Sequence, residues 1–305
     1  MSVPEYTDGK VVIPAELDLA GLKDKSVLIT GGGSGLGLAY ADAFAKAGAF
    51  VTIVDFNKDA GQAAEKALAP KAVFVPCDVR KWEDQVAAFE AAVIKSPRKS
   101  LDIVIANAGT IGRDDLYTFD DPGNGPPAKP ELRTVDVNLY GTLYTAKLAL
   151  HYFRRQPLSP EHDRCLIIKG SIAAYADQPG SPQYNVSKWG ARGLFRNLRR
   201  TVHRENIRVN FVAPWYVRTP ILSEKIIEYL EGKGVHFATV DDCARAMLNI
   251  ASDTTIHGRA FGIVPRVEAP QGYMDLEHDD YQEGDFMKGW QETVLATAQS
   301  IVDLA

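Results

Sequence analysis

The run Ser26-Val27-Leu28-Ile29-Thr30-Gly31-Gly32-Gly33-Ser34-Gly35-Leu36-Gly37 constrains the fold more than any other stretch of this chain. Its first five residues form a short apolar run that leads directly into glycines, which reads as a buried strand. A helix follows the glycines, with Tyr40, Phe44 and Ala47 along its apolar stripe. Amides left free at a helix N-terminus can hold a phosphate, so strand, glycine-rich turn and helix in that order read as the opening of a dinucleotide fold. A second apolar strand, Phe50 to Val54, ends at Asp55 and completes a βαβ unit.

Asp55 lies 18 residues beyond Gly37 (55 − 37), where an acidic side chain hydrogen-bonds the ribose hydroxyls of an adenosine. A carboxylate there repels a 2′-phosphate, and no arginine stands at Ser34 or Phe56 to attract one. The expected cofactor is therefore NAD, with NADP less favoured. A tight turn and a helix cap account for the glycines and for Asp55 separately, but not for both at this distance.

The alternation continues down the chain. Ala72 to Val75 leads into Cys77-Asp78-Val79; a helix carries Trp82, Val86 and Phe89; Leu101 to Ile105 leads into Asn107-Ala108-Gly109. A helix from about Glu131 to Arg154, a strand over Leu166-Ile167-Ile168, a helix from Tyr184 to Leu198, and strands at Ile207 to Val212 and near Ala260 to Val264 complete the pattern. Strands separated by helical segments imply an α/β fold, a Rossmann-type doubly wound parallel sheet with its ligand at the strands' carboxyl ends. The expectation is a single domain over 25–265, preceded by a lead-in (1–24) with one extended piece at Lys10 to Ile13, and followed by an extension (266–305). Phe286, Trp290, Val294 and Ile301 recur there at helical spacing, marking an amphipathic helix that packs on its own domain, covers the active site or meets another subunit.

Composition removes several classes of function. A net charge of −5 argues against nucleic acid as a partner. The start of the chain, MSVPEYTDGK, has no apolar core, and no run approaches the roughly 18 apolar residues of a membrane helix, so no membrane association and a cytoplasmic location are expected. Cys77, Cys165 and Cys243 are far apart and read as reduced thiols. The six histidines show no metal-ligand spacing, so no metal is expected. Arg192, Arg196, Arg199, Arg200 and Arg204 read as a solvated helix face.

Chemistry concentrates between Gly170 and Lys188. Ser171 follows a strand, and Tyr184 and Lys188 are one helical turn apart, on one face. A free phenol, with a pKa of about 10, is a poor base near neutrality, and a close cation lowers that value. Ser171 can then bond the same substrate oxygen that Tyr184 protonates or deprotonates while a hydride moves at the adjoining carbon. Taken alone, Tyr-x-x-x-Lys is ordinary amphipathic helix; the cofactor loop upstream gives it meaning.

With these motifs assembled, the chain resembles the short-chain dehydrogenase/reductase family over roughly Leu22 to Val264. The resemblance rests on Thr30-Gly31-x-x-x-Gly35-x-Gly37, Asp78, Asn107-Ala108-Gly109, Asn138, Ser171 standing 13 before Tyr184, Lys188, and Pro214-Trp215-Tyr216-Val217-Arg218-Thr219. It implies catalytic roles for Asn138, Ser171, Tyr184 and Lys188. Tyr184 is the acid/base, Ser171 orients the substrate oxygen, Lys188 lowers the tyrosine's pKa and holds the nicotinamide ribose, and Asn138 anchors a relay water. It also implies cofactor contacts from Gly31, Gly33, Ser34, Gly35, Leu36 and Gly37 in the loop; from Asp55 and Phe56; from Cys77, Asp78 and Val79 around the adenine; from Asn107, Ala108 and Gly109; from Tyr184 and Lys188; and from Pro214, Val217 and Thr219 beside the nicotinamide. Trp215 stands where the family has glycine, either shaping a substrate pocket or packing on its loop.

Ile221 to Phe237 matches the family's substrate lid, and Ile226, Ile227, Tyr229 and Leu230 with Tyr175, Trp215 and Tyr216 suggest an apolar, aromatic or polycyclic substrate. The activity implied is NAD-dependent interconversion of a secondary alcohol and a ketone, in a homodimer or homotetramer. An NADPH-dependent biosynthetic ketoreductase and a non-catalytic NAD-binding protein are the alternatives.

Overall fold

The structure, a computed structural model, describes residues 9–304 except 113, 118–124, 158 and 160–162, and of 298–304 only the backbone. Its strands are β1 (Ser26–Thr30), β2 (Phe50–Asp55), β3 (Ala72–Pro76), β4 (Ile103–Ala106), β5 (Cys165–Lys169), β6 (Arg208–Pro214), β7 (Ala260–Ile263) and β8 (Tyr273–Asp275). They form one sheet in the order β3-β2-β1-β4-β5-β6-β7-β8. All neighbours pair in parallel except β7 and β8, which run antiparallel with Phe261 opposite Asp275. The order reverses direction between β1 and β4, and at such a switch point the strands' carboxyl ends leave a crevice.

Both sheet faces are covered, as parallel pairing requires. The helices are α1 (Gly35–Lys46), α2 (Lys58–Leu68), α3 (Trp82–Lys95), a single turn α4 (Arg133–Val135), α5 (Gly141–Arg154), α6 (Pro182–Thr201), α7 (Glu224–Gly232), α8 (Val240–Ser252) and α9 (Phe286–Leu304). Alternate strand residues feed two cores. Val27, Ile29, Ile105 and Ile167 pack with Tyr40 and Phe44 of α1 and Met247 and Ile250 of α8. Leu28, Val104, Leu166 and Ile168 pack with Phe89 of α3, Phe153 of α5 and Phe195 of α6 on the other face.

The structure departs from the sequence reading at four places. Lys10 to Ile13 forms no strand; Val11 instead donates its amide to Asp275 Oδ2 at 2.9 Å. α2, α7, α8 and β8 are additional elements, β8 being three residues whose partner β7 alone makes it a strand, and α8 being capped by the Thr239 hydroxyl accepting from the Asp242 amide. The arginine face of α6 is not uniformly solvated. Arg192 and Arg199 are buried against the segment after β8, with Arg192 Nε 2.8 Å from Asp279 Oδ1 and Arg199 Nη2 donating to the Asp279 carbonyl at 2.7 Å. Finally, α9 forms as expected, but among its described residues the apolar face is not buried on its own domain: Phe286, Trp290 and Val294 are 69, 64 and 56% exposed. The side chain of Ile301 and the tip of the proline-rich loop, 118–124, lie outside the described residues.

Candidate active site

The glycine loop is shaped by a close approach that no other residue tolerates. A Cβ on Gly37 would stand 1.9 Å from the Gly31 carbonyl oxygen, and Gly31 itself has φ +65. Asn107 locks the loop from β4: its Nδ2 donates to the carbonyls of Thr30 at 2.7 Å and Gly31 at 3.1 Å, while the Thr30 hydroxyl accepts from the amides of Asn107 and Ala108. The first turn of α1 carries no acidic residue, and the Ser34 side chain makes no capping bond. Its free amides therefore face a groove of about 450 Å³ that runs past Asp55, Cys77 to Val79 and Asn107 to Gly109.

Asp55 ends β2 with one carboxylate oxygen accepting from the Gly33 amide at 2.9 Å and the other from Asn57 at 2.9 Å. Gly33 is thus hidden behind Asp55 instead of lining the groove, since a Cβ there would meet the carboxylate at 3.0 Å. Asp78 is clasped by Arg80, with Nε at 2.9 Å and Nη2 at 2.6 Å, and that guanidinium holds its carboxyl below the usual range. Buried Cys77 has its thiol pushed up to about 12, chiefly by desolvation.

At its inner end the groove meets a smaller cavity of about 130 Å³, walled by Ser171, Tyr184, Pro214, Trp215, Tyr216 and Val217. α6 starts at Pro182, two residues before Tyr184, with proline in its first turn. That fixes Tyr184 at the helix start and Lys188 one turn on, its ammonium 5.5 Å from the phenol ring centre. Ser171 caps the short helical turn Ile172–Ala174, accepting from the Ala173 amide at 3.2 Å. Its hydroxyl also lies within hydrogen-bonding reach of Tyr184 and favours that residue's ionisation.

The electrostatic balance in the protein differs from the expectation for Lys188. Burial dominates, raising the Tyr184 phenol above its ordinary value, and Ser171 supplies the opposing pull. Lys188 is held well below the ordinary lysine value, first by burial and then by Lys169. Two lysines sharing one apolar site disfavour each other's charge.

Asn138 sits in a π-helical turn, Asp136–Tyr140, between α4 and α5. Its Nδ2 donates to the Thr110 carbonyl at 2.9 Å and to Ser187 Oγ at 3.2 Å, and its Oδ1 accepts the Thr110 amide at 2.7 Å. A Cβ on Gly109 would meet Asn138 Oδ1 at 3.3 Å and Lys188 Nζ at 3.6 Å, so both converge on Gly109 from behind the cavity wall.

Of the substrate-side expectations, Trp215 does both things considered for it. It walls the cavity and donates Nε1 to the His236 carbonyl at 3.1 Å. Tyr175 does not face the cavity, because its hydroxyl donates to Asp279 at 2.6 Å and the Arg192 guanidinium stacks 3.9 Å above its ring. Among the lid residues, Ile221 and Leu222 line the cavity; Ile227 is buried, whereas Ile226 and Tyr229 face solvent. Sequence reasoning missed Asn57, Arg80, Thr110, Ile111, Gln178 and Lys169 in the walls. Lys169 alone carried a signal, a cation ending the apolar strand Leu166-Ile167-Ile168 two residues before Ser171.

Comparison with known proteins agrees with this geometry. The short chain dehydrogenase family model matches residues 25–229. Two relatives align over 286 residues: 5′-hydroxyaverantin dehydrogenase of Dothistroma septosporum, 38% identical, covering 88% of this chain and 91% of that protein, and 5′-hydroxyaverantin dehydrogenase stcG of Emericella nidulans, 37% identical with the same coverage. An NADP-dependent dehydrogenase of a Phoma species is 32% identical over 86% of this chain and 81% of its own length. Among solved structures, 3-ketoacyl-(acyl-carrier-protein) reductase from Brucella melitensis complexed with NADH superposes with a TM-score of 0.69 at 28% identity, covering 79% of this chain and 97% of that one. The chain belongs to the short-chain dehydrogenase/reductase family. It is an oxidoreductase that acts on hydroxyl or carbonyl groups with a nicotinamide cofactor.

Proposed function

We propose that this protein is an NAD-dependent dehydrogenase that interconverts a secondary alcohol and a ketone on an apolar, aromatic or polycyclic substrate of the 5′-hydroxyaverantin kind. The observation that carries the reading is the meeting of the two cavities beside Ser171 and Tyr184. The residues fit a dinucleotide: uncapped amides at α1, a loop that admits no side chain at Gly37, and a carboxylate at Asp55 suited to two ribose hydroxyls. When bound, the nicotinamide supplies the hydride acceptor or donor. Gly31, Gly35, Leu36 and Gly37 hold the pyrophosphate; Asp55 and Phe56 the adenosine ribose; Cys77, Asp78 and Val79 the adenine; and Asn107 to Gly109, Lys188, Pro214, Val217 and Thr219 the nicotinamide half.

The Ser171 hydroxyl bonds the substrate oxygen, and Tyr184 takes its proton in oxidation or returns it in reduction. Burial disfavours the Tyr184 phenolate and Ser171 favours it, and oxidation starts from that phenolate, whose own proton has first left to solvent. Asn138, braced by Thr110 and Ser187, would anchor the water that relays protons to Lys188. Trp215, Tyr216, Ile221 and Leu222 form an apolar wall that selects an apolar substrate.

The protein works in the cytoplasm as a homodimer or homotetramer. Exposed Tyr140, Leu143, Val186 and Trp189, between the π-turn and α6, supply the apolar surface for that contact.

Cofactor choice tests the reading. Titration of the purified protein should give an NADH affinity at least about tenfold above that for NADPH, the discrimination expected of a carboxylate facing a phosphate. Asp55→Ser should lose that preference. Tighter binding of NADPH by the wild type would favour the biosynthetic ketoreductase, and binding of NADH with no turnover on a broad alcohol and ketone panel would favour a non-catalytic protein.

A further inference from the structure

Four residues wall both the dinucleotide groove and the catalytic cavity: Leu36, Lys169, Thr219 and Ile221. Lys169 is the only charged one. It ends β5, pairs in register with Val212 of β6, and directs its side chain to the sheet face that carries Cys243 of α8. Among the described residues its ammonium has no hydrogen bond or ion pair, and Cys243, a neutral buried thiol, and Lys188 are the titratable groups in its field. Burial lowers the Lys169 ammonium to about 8, so at pH 7 it still carries most of its charge, and a cation with no counterion, placed where two cavities join, acts on whatever occupies the junction.

If the groove takes a nicotinamide dinucleotide, as proposed above, the nicotinamide must occupy this junction, because hydride transfer requires contact with a carbon held beside Ser171 and Tyr184. The oxidised ring carries one positive charge. A hydride brings two electrons and a proton, the C–H bond of the alcohol would break towards the ring, the hydroxyl proton would leave to the Tyr184 phenolate, restoring the phenol, and the ring would lose its charge. We propose that Lys169 sets the redox preference of the cofactor site, its ammonium disfavouring the oxidised nicotinamide and so selecting the reduced form. The same term pulls the enzyme-bound equilibrium towards ketone and reduced cofactor, that is, towards alcohol oxidation.

The test is the ratio of dissociation constants for NAD and NADH, measured without substrate by calorimetry or by quenching of protein fluorescence, for wild type, Lys169→Met, Lys169→Gln and Lys169→Arg. The two neutral variants should bind NAD about tenfold more tightly than the wild type, the effect of removing one nearby charge at intermediate dielectric, with NADH affinity changed less than about twofold. The arginine variant should keep the wild-type ratio. Equal changes for NAD and NADH, or an unchanged ratio in both neutral variants, would overturn the proposal. Failure of the wild type to bind either dinucleotide would instead overturn the functional reading on which it rests.

Discussion

At the scale of single residues, the firmest constraints are those that admit one side chain only. The Gly31 carbonyl passes where a Cβ of Gly37 would be, so Gly37→Ala must push the loop off Asn107 or shift α1. Such overpacking costs about 1–3 kcal/mol, and the expected result is a lowered urea midpoint together with lost dinucleotide binding. A variant with unchanged stability and binding would show that the loop relaxes freely. This residue was legible in the sequence because steric necessity leaves a glycine behind. Tyr175 was misread for the converse reason: its ring looks like substrate wall until Asp279, 104 positions away, claims its hydroxyl. Lys169 was visible as a charge on an apolar strand, but which cavity it faced depended on the pairing of β5 with both neighbours.

Whole elements were readable where local periodicity dictates them. β1, α1 and β2 follow from apolar runs and a glycine turn, whereas β8 exists only because β7 offers an edge and Arg259 draws in Asp275, with Nε to Oδ2 at 2.8 Å. The segment behind β8 fastens the helix that carries Tyr184 and Lys188, through Arg192 and Arg199 on Asp279 and the neighbouring Asp280. Removing one partner of a buried pair leaves a charge without compensation, at about 3 kcal/mol or more. Asp279→Ala should therefore lower the unfolding free energy by about that amount, read by chemical denaturation. An effect below about 0.5 kcal/mol would mean that the carbonyls of Ala174 and His278, which also accept from Arg192, suffice by themselves.

Across the whole molecule, the sheet reverses its order between β1 and β4, and this opens the crevice in which the glycine loop, Asp55 and the catalytic residues meet. Residues as far apart as Gly31 and Thr219 share one groove wall for that reason alone. Topology of this kind was legible from the regular alternation of strand and helix. The free apolar face of α9 was not, since an amphipathic pattern marks a face to be covered without saying what covers it. The central claim is that this crevice carries a proton on Tyr184 while a hydride moves at the substrate carbon. Its most direct test is Tyr184→Phe, which keeps the ring and removes the hydroxyl. The account predicts that kcat for a secondary alcohol with NAD falls by about a thousandfold while NADH affinity stays within a factor of a few. Retention of most of the wild-type kcat by a variant that still binds NADH would contradict it.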